Sequence, residues 1–319
     1  MLGKLAKLTT LGLAIAGGLV VAIAAAAPVV STTKLERGKR PSGVVRWRGD
    51  VGQRGFSRWT GGGNCEVQAA RVPGTCYPAE TTSDQYGVGD GNIEIVRSPT
   101  HGADRKRAYK HIIYQTLNGS DGSIRADLHT DEDFVGEVNG TLAGQEQYWH
   151  EAFLLPFIDG RPQRWANYYE HNVLGDMHYG DQGTSANDIW PLAWGVRTAA
   201  TSRPYIWFDH GDDHLPDMSD HTRLAPLKYN VWYDVLFYIK WGTTPTTGHV
   251  TVWVRYDGSK GYHKRFDKTF QTMDAGDHPY WKEALYSGAG TNTETRTWTN
   301  VAVFDGACRG TSFAAVQNC

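Results

Sequence analysis

Lys282 and Tyr286 stand four residues apart, a spacing that puts both side chains on one face of a strand or of a helical turn. An ammonium beside a phenol favours the phenolate, so a tyrosine that starts near 10 gains access to acid and base work. The same lysine can neutralise a carboxylate. An amphipathic segment with a solvated lysine and a packed tyrosine is the alternative. Arg125 and Asp127 alternate along an apparent strand and therefore share a face. There Arg125 either grips a carboxylate bidentately or closes a plain cross-strand ion pair. Asp209, His210, Asp212, Asp213, His214, Asp217, Asp220 and His221 form a run with calcium-ligand chemistry, but without the spacing of an EF-hand loop. It reads more simply as a solvated loop, and no cofactor is expected.

The four cysteines, Cys65, Cys76, Cys308 and Cys319, form an even set, which in an exported chain implies two disulfides. Pairing by proximity gives Cys65 with Cys76 and Cys308 with Cys319. Export itself is expected from Lys4 and Lys7, the apolar run over 11–23 and the small residues Ala24 to Ala27, the order of a secretory signal. Residues 1–26 form that signal, 27–45 a flexible polar leader and 46–319 a single domain. The apolar run is short for a span of about 20 residues, so no stable membrane insertion is expected after cleavage and the product is secreted. Removing the two signal lysines from 32 basic residues leaves 30 against 34 acidic ones, a net of −4. Such a balance excludes general attraction to nucleic acid, which needs many phosphate contacts. A monomer is the simplest state.

These groups must be held by strands. Trp, Tyr and Phe number 12, 16 and 10, Gly reaches 37 and Met only 4, a mixture that favours strands and turns. Strand patterns recur at 92–97, 109–117, 148–157, 192–198, 205–208, 231–241, 249–256 and 297–304. Within 231–241, Val231, Tyr233, Val235, Phe237 and Ile239 form a core face, while Trp232, Asp234, Leu236, Tyr238 and Lys240 are expected to meet water or ligand. Many strands without helices between them imply an all-β, two-layer β-sandwich.

Four stretches resemble, in order, the polysaccharide lyases of the heparin lyase I and glucuronan lyase type. They are GSIRADL at 122–128, QYWHEAFLLPF at 147–157, NVLGDMHYG at 172–180, and a tail holding VWYDVLFYIKW, GHVTVWVRYDG and YWKEALYSG. The resemblance implies a jelly roll whose concave sheet forms the substrate cleft. It also implies β-elimination on an acidic polysaccharide. A cation or amide masks the uronate carboxylate, a base removes the C5 proton, and an acid protonates O4 as the glycosidic bond breaks. His178 then falls to the base, Tyr286 to the second proton carrier, and Lys282 and Arg125, with Asp127, to the substrate. An imidazole near 6.5 accepts protons at neutral pH. A loop-holding histidine is the other reading of His178.

The family pattern has Gln where this chain has Asp176. An ionised carboxylate at ~4 Å from a uronate repels it by roughly 4 kcal/mol at an effective dielectric near 20. Asp176 must therefore be paired or neutral, or the domain binds without cleaving. A non-catalytic glycan-binding sandwich, with Trp232 and Tyr238 stacking on sugars, is the second hypothesis. A glycoside hydrolase needs two close carboxylates and ranks third. No Gly-x-Ser-x-Gly elbow and no Walker-type loop occurs, which argues against a serine hydrolase and a nucleotide enzyme.

Overall fold

The computed structural model describes residues 43–49, 75–76, 92–99, 107–115, 123–129, 142–165, 172–179, 192–198, 203–210, 221–273, 275, 279–288, 298–317 and 319. The expected signal, most of the leader, Cys65 and the acidic run over 211–220 lie outside them. In chain order the strands are β1 (Val45–Arg48), β2 (Thr75–Cys76), β3 (Asn92–Arg97), β4 (Arg107–Gln115), β5 (Ser123–His129), β6 (Glu146–Leu154), β7 (Asn172–Tyr179) and β8 (Leu192–Arg197). They continue with β9 (Tyr205–Asp209), β10 (Thr222–Pro226), β11 (Trp232–Lys240), β12 (His249–Tyr256), β13 (His263–Thr269), β14 (Pro279–Gly288) and β15 (Trp298–Gly310), followed by a one-turn helix α1 (Phe313–Val316).

Every pairing of these strands is antiparallel. A nine-stranded sheet runs β13-β12-β11-β6-β15-β4-β3-β2 with β1 on β15, and a six-stranded sheet runs β10-β9-β8-β7-β14-β5. The chain is a two-layer β-sandwich, as the alternating sequence implies, of the jelly-roll type that the resemblance implies. Val235, Phe237 and Ile239 of β11 and Tyr233 beside them enter the core with Leu174, Trp194, Phe208 and Trp281 of the other sheet. Trp149 and Trp281 stack across the layers at 4.7 Å with planes 2° apart, and Trp194 meets Phe237 at 4.7 Å. Full burial of each such ring is worth about 2–3 kcal/mol, and each pair adds roughly 0.5–1.5 kcal/mol. These rings fix β8 and β14 against the opposing sheet.

The outer face of β11 departs from expectation. Asp234 accepts from Arg255 Nε at 3.0 Å and meets His150 Nε2 at 3.1 Å, while Leu236 packs with Cys308, Val316 and Cys319. Helix α1 and the Cys308–Cys319 disulfide, closed over 11 residues, thus cover a face that alternation alone assigns to water. Ser312 caps α1 by accepting from Ala315 N. At the other end of the chain Val44 already donates to Thr311 Oγ1 at 2.9 Å, so the leader is tied down just before β1.

Candidate active site on the six-stranded sheet

Strand β14 is the spine of the site. Trp281, Glu283 and Leu285 are fully buried toward the core, so alternation gives Tyr280, Lys282, Ala284 and Tyr286 the outer face. Lys282 lies opposite Asp176 on β7 and His129 on β5. Tyr280 lies opposite His178, Ala284 opposite Asp127, and Tyr286 opposite both Arg125 and Val173. The register therefore puts the positions of His178, Asp176, Lys282, Tyr286, Arg125 and Asp127 on one face of three adjacent strands. Lys282 and Asp176 are only 4% and 6% exposed. Opposite charges in direct cross-strand register stabilise each other, so Lys282 is the cation whose position suits Asp176.

The face depends on an irregularity in β7. Val173 joins the outer cluster with Ala193 and Trp207, whereas Leu174 and Met177 enter the core. Between them the β7–β8 register shifts, Val173 facing Gly195 and Gly175 facing Trp194. The extra residue restores Asp176 and position 178 to the outer face, the usual effect of a β-bulge. Gly175 is obligatory there, because a Cβ would come within 2.1 Å of Trp194 Cζ2. Gly175→Ala is expected to cost about 1–3 kcal/mol by overpacking against a fully buried indole. Urea unfolding reads this directly, and an unchanged midpoint would remove the bulge from the account.

Spacing along the strand separates the expected partners. Because β14 is a strand rather than a helical turn, Lys282 and Tyr286 are about 13 Å apart, and the His178 and Tyr286 rows, six residues apart on β14, about 20 Å. The ammonium of Lys282 instead lies 5.3 Å from the ring centroid of Tyr280. Tyr280 and His129 are the positions that sequence reasoning passed over. Their signal was alternation with Lys282 and with Asp127, legible only once both segments are known to be strands.

Two expected sugar contacts fall elsewhere. Trp232 is 1% exposed, in a cluster with Ala152, Leu154 and Val303, and its Nε1 donates to the Pro99 carbonyl at 2.9 Å. It is a packing residue and offers no stacking face. Tyr238 is half-buried on β11, in the other sheet, against Tyr148 at 5.1 Å. Burial first, and Glu146 second, push its phenol up to about 12. Neither residue shares the β7–β14 face. Asp209, from the candidate calcium run, accepts from the His210 amide at 2.8 Å and faces His221 Nε2 at 3.1 Å. No group of three metal-ligating side chains occurs among the described residues.

Directly behind Lys282, the inner face carries acids. Glu283 and Glu151 are both 0% exposed, and burial, then the charge of Glu283, raise the Glu151 carboxyl well above its usual range. Donation from the Trp194 and Trp281 indoles opposes this, and Asp176 adds to it. His111 Nδ1 lies 2.8 Å from the Ala126 carbonyl, which can only accept, so Nδ1 carries a proton. Its Nε2 then meets Glu283 Oε1 at 3.1 Å through one further proton, whichever of the two groups holds it.

No helix among the described residues is long and apolar enough to cross a membrane. No family model matches this chain, and no curated protein matches it in sequence. Among solved structures, the endo-β-1,4-glucuronan lyase of the fungus Trichoderma reesei aligns at 19% identity and a TM-score of 0.45, over 71% of this chain and 89% of that one. The marine PL-14 alginate lyase of Aplysia kurodai aligns at 9% identity and a TM-score of 0.40, over 68% of this chain and 86% of that one. The exoplasmic/lumenal domain of VIP36, in its Ca2+/Man3GlcNAc-bound form, aligns at 10% identity and a TM-score of 0.32, over 74% of this chain and 87% of that one.

Proposed function

We propose that the protein is an exported polysaccharide lyase that cleaves a uronic-acid-containing polysaccharide by β-elimination on the outer face of the six-stranded sheet. The observation that carries this reading is the register that gathers His178, Asp176, Lys282, Tyr280, Tyr286 and Arg125 on one face of β5, β14 and β7. Lys282 offsets the carboxylates of Asp176 and the uronate, which acidifies the C5 proton. His178 takes that proton, the electron pair forms the C4–C5 double bond, the C4–O4 bond breaks and a phenol of β14 protonates O4. The sequence motif favours Tyr286 for that phenol, whereas Tyr280 lies opposite His178 in the register.

Incubation with a panel of polyuronates and glycosaminoglycans is expected to raise ultraviolet absorbance as the unsaturated sugar forms. His178→Ala lowers the rate about 10²–10⁴-fold, the worth of a general base. Tyr280→Phe and Tyr286→Phe, compared on the same substrate, decide which phenol carries the proton. Folded protein that produces no chromophore on any substrate sinks the reading. The second reading, a glycan-binding sandwich without catalysis, is favoured by the carboxylate of Asp176 in an anion site. Binding that survives His178→Ala, with no product from the parent protein, selects it. Product lacking the chromophore would indicate hydrolysis instead.

A further inference from the structure

The nine-stranded sheet carries a second patch of chemistry on its outer face. Two neighbouring rows of register partners cross β6, β11, β12 and β13 there. Tyr148, Tyr238, Thr251 and Asp267 form one row, and Glu146, Lys240, His249 and Thr269 form the other. Thr251 lies buried beneath its neighbours, but Glu146, Asp267 and Thr269 are exposed, and Tyr148, Tyr238, His249 and Lys240 each keep part of the side chain in water. The rings follow one another across the strands. Tyr148 and Tyr238 have centroids 5.1 Å apart, and Tyr238 and His249 are 5.9 Å apart.

Internal hydrogen bonds hold this platform in place. His249 Nε2 lies 2.9 Å from Asp267 Oδ1, so Nε2 carries a proton, and in the neutral ring Nδ1 accepts from the Thr269 hydroxyl at 2.9 Å. Thr251 donates to the same Asp267 oxygen at 2.9 Å, and Lys264 pairs with the other. Tyr238 donates to Glu146. Two rings and two carboxylates are thus oriented before a ligand arrives, which lowers the ordering cost of binding. The Lys240 ammonium and the Tyr148 hydroxyl, by contrast, have no hydrogen-bond partner among the described residues.

Area and charge decide what fits. Three inter-strand steps make the platform about 14 Å wide, and one side-chain repeat makes it about 7 Å long, far below the roughly 800 Å² per partner of a stable protein interface. Val44 and Phe157, the exposed large hydrophobics among the described residues, lie outside these four strands, so the apolar centre of a protein interface is missing. Lys240 and Lys264 balance Glu146 and Asp267, and neither row contains an arginine. A polyuronate would meet two carboxylates here. A neutral pyranose chain instead meets ring faces for its C–H surfaces, and acceptors and donors for its hydroxyls. We propose that this face binds a neutral, hydroxyl-rich polysaccharide, with Tyr148 and Tyr238 stacking on its sugars and Glu146 and Lys240 hydrogen-bonding their hydroxyls. The site is on the opposite sheet from the lyase face and does not depend on that reading.

Native gel electrophoresis through soluble glucomannan, xyloglucan or mixed-linkage β-glucan tests this, with alginate as the acidic counterpart. At least one neutral glycan is expected to retard the parent protein. Tyr148→Ala and Tyr238→Ala each weaken that affinity about tenfold, the worth of one aromatic contact, whereas Tyr238→Phe keeps the ring and most of the binding. Glu146→Ala changes an exposed position, so it folds, and it weakens binding by a smaller factor. Thermal transitions check that the tyrosine variants fold as well. Arg223→Ala, at an exposed position of the six-stranded sheet, is retarded as the parent is. No retardation by any neutral glycan overturns the proposal, and so does retardation that both tyrosine variants and Glu146→Ala retain in full. Retardation by alginate alone overturns it while leaving the lyase reading in place. Self-association of the parent that Tyr148→Ala abolishes would assign the face to a second copy of the chain and overturn it too.

Discussion

On the lyase reading, Lys282→Met is expected to lower kcat/KM on a polyuronate about a thousandfold, and adding Asp176→Asn to the same chain to recover most of that loss. Lys282 lies directly opposite Asp176, and both are nearly inaccessible to water. With the ammonium gone, the Asp176 carboxylate faces the incoming uronate, a repulsion of roughly 4 kcal/mol at ~4 Å and an effective dielectric near 20. At one decade per 1.36 kcal/mol that is about three orders of magnitude. The amide of the double variant removes the charge and restores an uncharged hydrogen-bonding group, the residue type that the resembling lyases hold there being Gln. The recovery separates two roles for the lysine. If Lys282 acts by compensating Asp176, the double variant is active. If Lys282 itself moves the proton, neutralising Asp176 gains nothing and both variants stay inactive. Breaking a buried pair by removing one partner costs about 3–5 kcal/mol of stability. Rates are therefore compared below each variant's own unfolding transition, and the double variant is expected to regain stability together with rate.

Most residues of the candidate face were singled out in the sequence, Tyr280 and His129 were not, and the distances between them were not legible. The four-residue spacing of Lys282 and Tyr286 fits a strand and a helical turn equally, and only the pairing of β14 with β5 and β7 shows that the phenol beside the ammonium belongs to Tyr280. Alternation correctly assigned the core face of β11, because Tyr233, Val235, Phe237 and Ile239 enter the core regardless of which strands flank them. It failed on the opposite face. Leu236 is covered by α1 and the C-terminal disulfide, and Trp232 by the stretch holding Pro99, both long-range packing events that leave no local period in the sequence. The bulge at Gly175 was equally hidden, since the need for glycine arises from Trp194 on the neighbouring strand. The inner acids were hidden for a different reason. Glu151 and Glu283 read as ordinary polar positions until His111, Trp194 and Trp281 are placed around them.

That inner group dictates how stability responds to pH. Burial, then the charge of Glu283, raise the Glu151 carboxyl well above its ordinary range, so the folded protein holds a proton that the unfolded chain releases. The stability contributed is fully present below the ordinary carboxylate range and is lost as the pH rises through the folded value, by about 1.4 kcal/mol per pH unit for one proton. The groups that face Glu151 are Glu283 and Asp176, whose charges disfavour ionisation, and the Trp194 and Trp281 donors, which favour it. Glu283 is itself tied to His111 through a single proton. Glu151→Gln keeps an oxygen to accept from Trp194, supplies a permanent N–H toward the acids and has nothing to ionise. Urea unfolding at a series of pH values from the ordinary carboxylate range upward is expected to show wild-type stability falling while the variant's curve is flatter by the slope of one proton. The two therefore diverge, and the variant is the more stable at the alkaline end. Relieving one buried acid of its charge is worth about 1–3 kcal/mol there, the cost of a buried polar group left without a partner. Parallel curves for the two proteins would show that Glu151 carries no extra proton in the folded state. A variant that weakens uniformly at every pH would mean that the acid serves packing alone.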